Sequence, residues 1–285
     1  MNTLKKFITT LTLSTLGFAF SATATPIITE WDFIVNSAFT GATFTTPGTG
    51  TPTTSLTNLL FTAPTNLAWG DQVEQSSLDI SSGSLGLVFG EDLASGDAVQ
   101  TSLLVHDNVI IPGGSSVLAT AILSTVLQIF PANTLPNIGD YDDPAEPLDA
   151  LAFNILFFET PNGPGQCGGV PCENDIFIIT MPEGLVFDEG EGTLNQLFSI
   201  GHHTYNTELK LVATDPGTGL AVLDDFICNR VPGAGNGCIG LTTFEGQPNE
   251  FRVMMTITSV PEPSTILLLS LAMFGIVGSM RNKQS

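Results

Sequence analysis

Three histidines, several runs of acidic residues and four cysteines are the groups in this sequence with types and spacings that suggest chemistry. His106 lies in Val105-His106-Asp107-Asn108, where Asp107 or Asn108 could orient an imidazole acting as a base, with Ser102 or a remote serine as nucleophile. No Gly-x-Ser-x-Gly elbow accompanies it, and such a run at the end of a strand reads first as a turn closed by Asn and Asp side chains. Catalysis through His106 is therefore not expected. His202 and His203 are adjacent, and adjacent side chains on a strand point to opposite faces. They cannot chelate one ion together if a strand begins there, and a surface or turn position is expected.

The carboxylates offer different chemistry. Asp140-Tyr141-Asp142-Asp143, followed by Glu146 and Asp149, gathers the hard oxygen donors that calcium takes, and Glu189-Gly190-Glu191 is a lesser cluster. The spacing is not that of an EF-hand. Pro144 and Pro147 make the first segment an extended acidic loop, so Asp140, Asp142 and Asp143 are calcium candidates weighed against a plain solvated charge cluster, which is the favoured reading. No other cofactor is expected. A carboxylate pair for glycoside hydrolysis is conceivable, but spacing along a chain does not place two carboxylates across a sugar bond.

Charge narrows the partners. The formal net charge is -21. Lys5, Lys6, Arg281 and Lys283 sit at the two ends, leaving only Lys210, Arg230 and Arg252 between them. Nucleic-acid affinity comes mainly from Lys and Arg neutralising phosphates, so this body is excluded as a nucleic-acid binder. The same field would repel anionic lipid head groups and gather divalent cations or basic partners.

Both ends read as targeting segments. Lys5-Lys6 precedes the apolar run Phe7 to Phe20, and Ala22-Thr23-Ala24 supplies the small residues a signal peptidase reads. Residues 1–24 are expected to be a signal peptide, cleaved after Ala24 to leave Thr25 first. At the other end, Val260-Pro261-Glu262-Pro263-Ser264 precedes a short apolar stretch, Ile266 to Met280, followed by Arg281-Asn282-Lys283. A helix needs ~20 apolar residues to cross the hydrocarbon core, so this one would span marginally, with its basic end held in the cytoplasm. Pro261 and Pro263 keep the approach extended and open to an enzyme.

This tripartite tail, Val260 to Ser285, resembles the PEP-CTERM sorting signal of Gram-negative bacteria, with Pro261, Glu262 and Pro263 as the motif. The resemblance implies processing by a membrane-embedded exosortase after transient inner-membrane anchoring. It then implies release or attachment at the outer surface, commonly among exopolysaccharide-producing biofilm bacteria. In the body, Glu30 to Phe33, Leu67 to Gly70, Gln75 to Leu78, Val105 to Asn108, Phe153 to Thr160, Cys172 to Ile179 and Gly237 to Gly240 resemble the THxN group of PEP-CTERM proteins. Val105 stands where that motif has Thr, so the motif is kept at His106 and Asn108. The group has no established activity, so the likeness implies a secreted role and names no reaction.

Between the ends the pattern is one of strands separated by turns. Phe251, Val253, Met255 and Ile257 alternate with Arg252, Met254, Thr256 and Thr258, as Leu151, Phe153, Ile155 and Phe157 do with their neighbours. Further strands are expected over Ile27 to Val35, Leu78 to Ile80, Leu85 to Phe89, Val99 to Ile111, Asp175 to Thr180 and Thr204 to Val212. Val117 to Phe130 also fits a helical face, but its β-branched content favours a strand. Thr40 to Thr57, rich in Thr, Gly and Pro, reads as a long loop or ribbon. With many short strands and no long amphipathic helix, the expected fold is all-β: an antiparallel β-sandwich of one domain, residues 25–259, between the signal peptide and the sorting segment 260–285.

In an exported protein four cysteines indicate disulfides. Local pairing, Cys167 with Cys172 and Cys228 with Cys238, is expected over the two crossed alternatives, and neither pair has histidine or further cysteine at zinc spacing. The function expected is that of a non-enzymatic structural or adhesive protein of the outer surface or extracellular matrix, associated with biofilm exopolysaccharide. The alternatives are a secreted hydrolase of matrix polysaccharide and a calcium-dependent carbohydrate-binding module.

Overall fold

Alternation over residues 251–257 dictates which side of a strand meets the core, and β15 (Gln247–Ser259) follows it: Asn249, Phe251, Met255 and Ile257 are buried while Arg252 and Thr258 are exposed. The computed structural model describes residues 26–45, 53–57, 61–71, 73–81, 87–132, 151–161, 165, 174–214 and 219–261. They form fifteen strands in two antiparallel sheets. The first sheet is ordered β13 (Ala221–Val222), β14 (Ile239–Phe244), β9 (Asn174–Thr180), β8 (Leu151–Phe158), β7 (Leu118–Pro131), β1 (Glu30–Phe44) and β5 (Leu87–Ala94). The second runs β10 (Val186–Asp188), β11 (Thr193–Ile200), β12 (His203–Ala213), β15, β6 (Ala98–Asn108), β4 (Gln75–Ser81), β3 (Pro64–Gly70) and β2 (Thr53–Thr57).

The core consists of inward side chains from both sheets, as the sandwich reading requires. One cluster gathers Phe39, Leu67, Trp69, Leu104, Phe157, Phe177 and Phe251. The other gathers Trp31, Phe33, Leu127, Tyr205, Met255 and Ile257. The two lie at opposite ends of β15, since Asn249 pairs with His106 at one end and Ile257 with Thr207 at the other. Trp31 meets Tyr205 edge-on at 4.8 Å and Phe198 at 5.8 Å, and the Tyr205 hydroxyl accepts a hydrogen bond from the Ile28 amide at 3.0 Å. Truncating a fully buried Trp of this kind costs about 3–5 kcal/mol.

The outer face of β9 is covered as well. Ile176 and Ile178 pack on Ile227 and Val231 beneath α1 (Asp225–Cys228), a single turn capped by the Asp224 carboxylate, which accepts from the Phe226 amide at 2.8 Å. The Cys228–Cys238 disulfide closes the loop that follows. β9 is therefore buried on both faces, and its near-continuous apolar run reflects that position.

Several boundaries differ from those the sequence suggests. The segment Thr40 to Thr57 is not one loop: β1 continues through Phe44 because β7 pairs with it along its whole length, and Thr53–Thr57 is β2. Ile27 to Thr29 precede the strand, and β6 stops at Asn108, short of Ile111. The Val105 to Asn108 run is strand and not turn, held by β15 on one side and, through Asp107, by β4 on the other. β3, β11 and β14 were not evident in the pattern. They carry Asn66 and Asn195 or have Gly at the start, which weakens alternation, and pairing with neighbours supplies what propensity does not. Val117 to Phe130 is strand, as its β-branched residues imply.

The expected signal peptide, Cys167, Cys172, the residues Asp140 to Asp143, and Glu262 and Pro263 with the apolar residues after them lie outside the described residues. Among the described residues no helix is long and apolar enough to cross a membrane.

Replacing Cys228 and Cys238 together with Ser removes a cross-link spanning 10 residues. The loop-entropy cost is ~2–3 kcal/mol. We expect a correspondingly lower denaturation midpoint under non-reducing conditions, with the far-ultraviolet β signature retained.

Candidate functional site

At the Trp69 end of the core, the inward rows of several strands finish on polar groups. Along β6 the inner row runs Leu104, His106, Asn108. Along β8 it runs Ile155, Phe157 and, one step past the strand, Glu159. β9 contributes Phe177 and Asp175, and β14 contributes Leu241, Thr243 and then Glu245 in the turn beyond it. Alternation alone thus directs three carboxyls and a carboxamide to the same end of the interior. One oxygen from each of Glu159, Asp175 and Glu245 lies within 4.8 Å of the others.

The short Glu245-Gly246 turn carries the chain from β14 in the first sheet to β15 in the second. Gly246 takes a left-handed φ of 72°, a conformation that a side-chain-bearing residue adopts at a cost. Asn249 braces the turn in place of a strand ladder. Its Nδ2 donates to the Phe244 carbonyl at 2.9 Å and the Gln247 carbonyl at 2.9 Å, and its Oδ1 accepts from the Phe244 amide at 2.7 Å. Nδ2 also lies 3.4 Å from the His106 carbonyl, which ties the turn to β6. Thr243 and Asp175 face each other across the β14–β9 ladder, and the Thr243 hydroxyl bonds His106 Nδ1 at 2.9 Å.

An aromatic wall surrounds the imidazole. Trp69 stacks on it with ring centroids 5.6 Å apart, while Phe177 and Phe157 meet it edge-on at 4.8 and 5.7 Å. Removal from water favours the neutral ring, so the His106 pKa is pushed down to about 3. His106 Nε2 has no hydrogen-bond partner.

Burial acts on the acids in the opposite direction. Loss of hydration raises Glu159 to about 8, the Glu245 charge adds to the rise, and the Trp69 indole opposes it from the side without forming a hydrogen bond of good geometry. Asp175 is raised well above the usual carboxylate range, first by burial and then by Glu159, although its Oδ1 accepts the Thr160 amide at 2.9 Å. Burial also raises Glu245. Among the described residues no Lys or Arg lowers any of the three. Asp175 Oδ2, both carboxyl oxygens of Glu159 and of Glu245, and both side-chain atoms of the fully buried Asn108 lack hydrogen-bond partners. A polar cluster this poorly satisfied is costly in a closed interior.

Of the residues singled out by sequence, His106 and Asn108 fall in this cluster, but buried in a strand and not in a turn. His202 is exposed in a turn and His203 is the first residue of β12, so the pair builds no site. The Glu189-Gly190-Glu191 segment is an exposed turn in which Asp188 accepts the amides of Gly190 and Glu191 at 2.8 and 3.2 Å. Sequence reasoning missed Glu159, Asp175 and Glu245. The signal was present: each keeps the spacing of two from an inward row, Glu159 after Ile155 and Phe157, Asp175 before Phe177, and Glu245 after Leu241 and Thr243. Trp69, His106, Asn108, Phe157, Glu159, Asp175 and Phe177 also come from segments quoted above for the THxN likeness, so those separated segments meet at one place.

The fold is that of an exported β-sandwich whose last strand leads directly into a sorting segment. The family model for the PEP-CTERM protein-sorting motif matches residues 259–282, and by that tail the chain is a PEP-CTERM protein. The match is confined to the C-terminal end and takes in only Ser259, the last residue of β15, from the sandwich. No curated protein matches the chain.

Two outcomes test the site. A carboxyl whose folded pKa is raised makes the folded state less stable as pH climbs from the unfolded value toward the folded one. In chelator, stability should therefore fall between about pH 4.5 and 8, and Glu159→Gln should reduce that slope relative to the parent, as thermal melts across pH would show. His106 acts with the opposite sign, its contribution being lost as pH falls below 6.5, so His106→Gln should steepen the decline between 4.5 and 6.5. Separately, Asn249→Ala should cost about 2–4 kcal/mol in chemical denaturation, because it leaves buried turn groups unsatisfied.

Proposed function

We propose that the sandwich is a non-enzymatic structural or adhesive component of the outer surface or extracellular matrix of a Gram-negative bacterium, delivered there by exosortase processing of its tail. The junction between body and tail carries this reading. The matched motif begins at Ser259, the last residue of β15, so no spacer separates the packed domain from the sorting segment. The Val260 amide still donates to the Thr204 carbonyl at 2.8 Å, and Pro261 is exposed. Cleavage at or beyond Pro261 would therefore leave every strand in place. The coarser part of the reading, an exported protein sorted across a membrane as an exosortase substrate, follows from the motif itself.

The body suits a passive role. Its polar cluster is enclosed: Asp175 and Asn108 are fully buried and His106 is 1% exposed. A polysaccharide hydrolase presents its carboxylates in a cleft that a sugar chain can enter, and it needs room for water beside them. Convergent carboxylates near an imidazole are the one feature that favours the hydrolase reading, and their enclosure weighs against it. The calcium-dependent carbohydrate-binding reading was founded on Asp140, Asp142 and Asp143, which lie outside the described residues.

Fractionation of producing cells with and without their exosortase tests delivery. The parent should yield a product shorter by the tail, and the mutant should retain the tail in its membrane fraction, as intact mass would show. A chain of identical mass in both strains would overturn the processing step. Changing Pro261, Glu262 and Pro263 together to Ala should reproduce the mutant pattern. Incubation of the processed protein with matrix polysaccharide should release no new reducing ends; steady release that survives repurification would replace this reading with the hydrolase.

A further inference from the structure

We propose that Glu159, Asp175, Glu245 and the side-chain carbonyl of Asn108 form a calcium site that clasps the two sheets at the end of the sandwich remote from the sorting tail. Three observations carry it, and none depends on where the protein is delivered. The first is convergence: one oxygen from each carboxyl already lies within 4.8 Å of the other two, a separation a single ion can bridge with modest closing of the side chains.

The second is the unsatisfied carboxamide. Asn108 is fully buried and its amide faces the Asp175 and Glu245 carboxyls, opposing their rise in pKa without a hydrogen bond of good geometry at either its oxygen or its nitrogen; a half-turn of the carboxamide presents the oxygen to the same place. A buried amide in that state loses its hydration with no return, unless its oxygen serves a ligand. Asp175 is also fully buried, and its Oδ2 is unpartnered. Together these groups form an oxygen-lined pocket whose polar atoms lack the internal partners that a finished interior supplies.

The third is the chemistry of the donor set. Every atom in it is a hard oxygen, and no cysteine takes part. His106 is close, but Thr243 holds its Nδ1 and it is not among the converging ligand atoms. Soft or borderline metals prefer thiolate or imidazole, whereas oxygen sets suit magnesium, calcium and manganese. Magnesium demands a near-octahedral shell and keeps several waters. An enclosed cluster of three carboxyls, mono- or bidentate, with a carboxamide oxygen fits the larger, irregular shell of calcium better. The Asp188 turn and the exposed acids elsewhere satisfy their oxygens with backbone amides or water and make no comparable claim.

The ligands come from both sheets. Glu159 follows β8, Asp175 is the second residue of β9 and Glu245 follows β14, all in the first sheet, while Asn108 ends β6 in the second. An ion held among them would bind the sheets to each other and fix the β14–β15 turn. The tail leaves from the far end of β15, 12 residues beyond the Gln247 that pairs with Asn108, roughly 40 Å away at the rise of an antiparallel strand.

The test uses the exported protein purified from producing cells in mild detergent and stripped with EDTA. Calorimetric titration with calcium should give one ion per chain at this site, and 1 mM calcium should raise the thermal midpoint by about 1–6 °C if the affinity is that of extracellular modules. Asp175→Asn should weaken calcium binding by about a hundredfold or more and erase that shift. In EDTA the same variant should melt at or above the parent, because it removes a buried charge; a purely structural carboxylate would instead give a variant that melts lower. If Asp175→Asn fails to fold, Glu245→Gln, half-exposed in its turn, serves the same comparison. No calcium response in the parent would overturn the proposal. So would a response undiminished in both variants, or tighter binding of magnesium or manganese than of calcium.

Discussion

An inward-facing residue of a sandwich has only the opposite sheet for company, and the period of two along each strand decides which residues those are. That constraint organises this molecule. It drives Trp31, Phe33, Met255 and Ile257 together at one end and Trp69, Phe157, Phe177 and Phe251 toward the other. It also acts without regard to polarity. Where the inward positions are occupied by Asn108 and Asp175, the geometry buries them as firmly as it would leucines, and it leaves Glu159 and Glu245 only partly exposed at the rim.

The consequence is a protein with two dissimilar ends. At the Trp31 end, aromatic edges meet, the Tyr205 hydroxyl accepts the Ile28 amide, and the interior closes on mostly apolar contact, with the Trp31 indole nitrogen left unpartnered. At the Trp69 end, the core passes through an aromatic collar around a neutral His106 into a set of acids that hold protons unusually tightly. Asn249 keeps this end in register by taking over the hydrogen bonding of a strand pair across the crossing turn. Stability there depends on how the acids are neutralised, by protons or by a cation, because the described surroundings supply no basic side chain.

The overall architecture could be read from alternation. Phe251 to Ile257 and Leu151 to Phe157 announce strands, the absence of helical periodicity announces a sandwich, and Cys228 with Cys238 announces a local bridge. The site could not be read in the same way. Neighbouring contributors among its members are 16 to 70 residues apart in the chain, the widest gap running from Asp175 to Glu245, and their meeting depends on strand order, which alternation does not encode. His106 and Asn108 drew attention through their spacing, yet strand-end polar residues usually mark turns, and β15 was needed to hold them in a ladder. Asp140, Asp142 and Asp143 stand out because they fall within four residues. Glu159 and Asp175 do not, because an isolated acid beside an apolar row looks like the end of a strand.

The position of β15 has a mechanical consequence. It lies inside its sheet, hydrogen-bonded along its length to β12 on one side and β6 on the other, and it is also the strand from which the tail departs. Tension on the tail therefore loads two ladders in shear at once, which requires many bonds to fail together and not one after another as in unzipping. The same placement means that the sheet lacks its middle until the chain has been delivered almost to Ser259, so closure of the sandwich waits on passage of nearly the whole body.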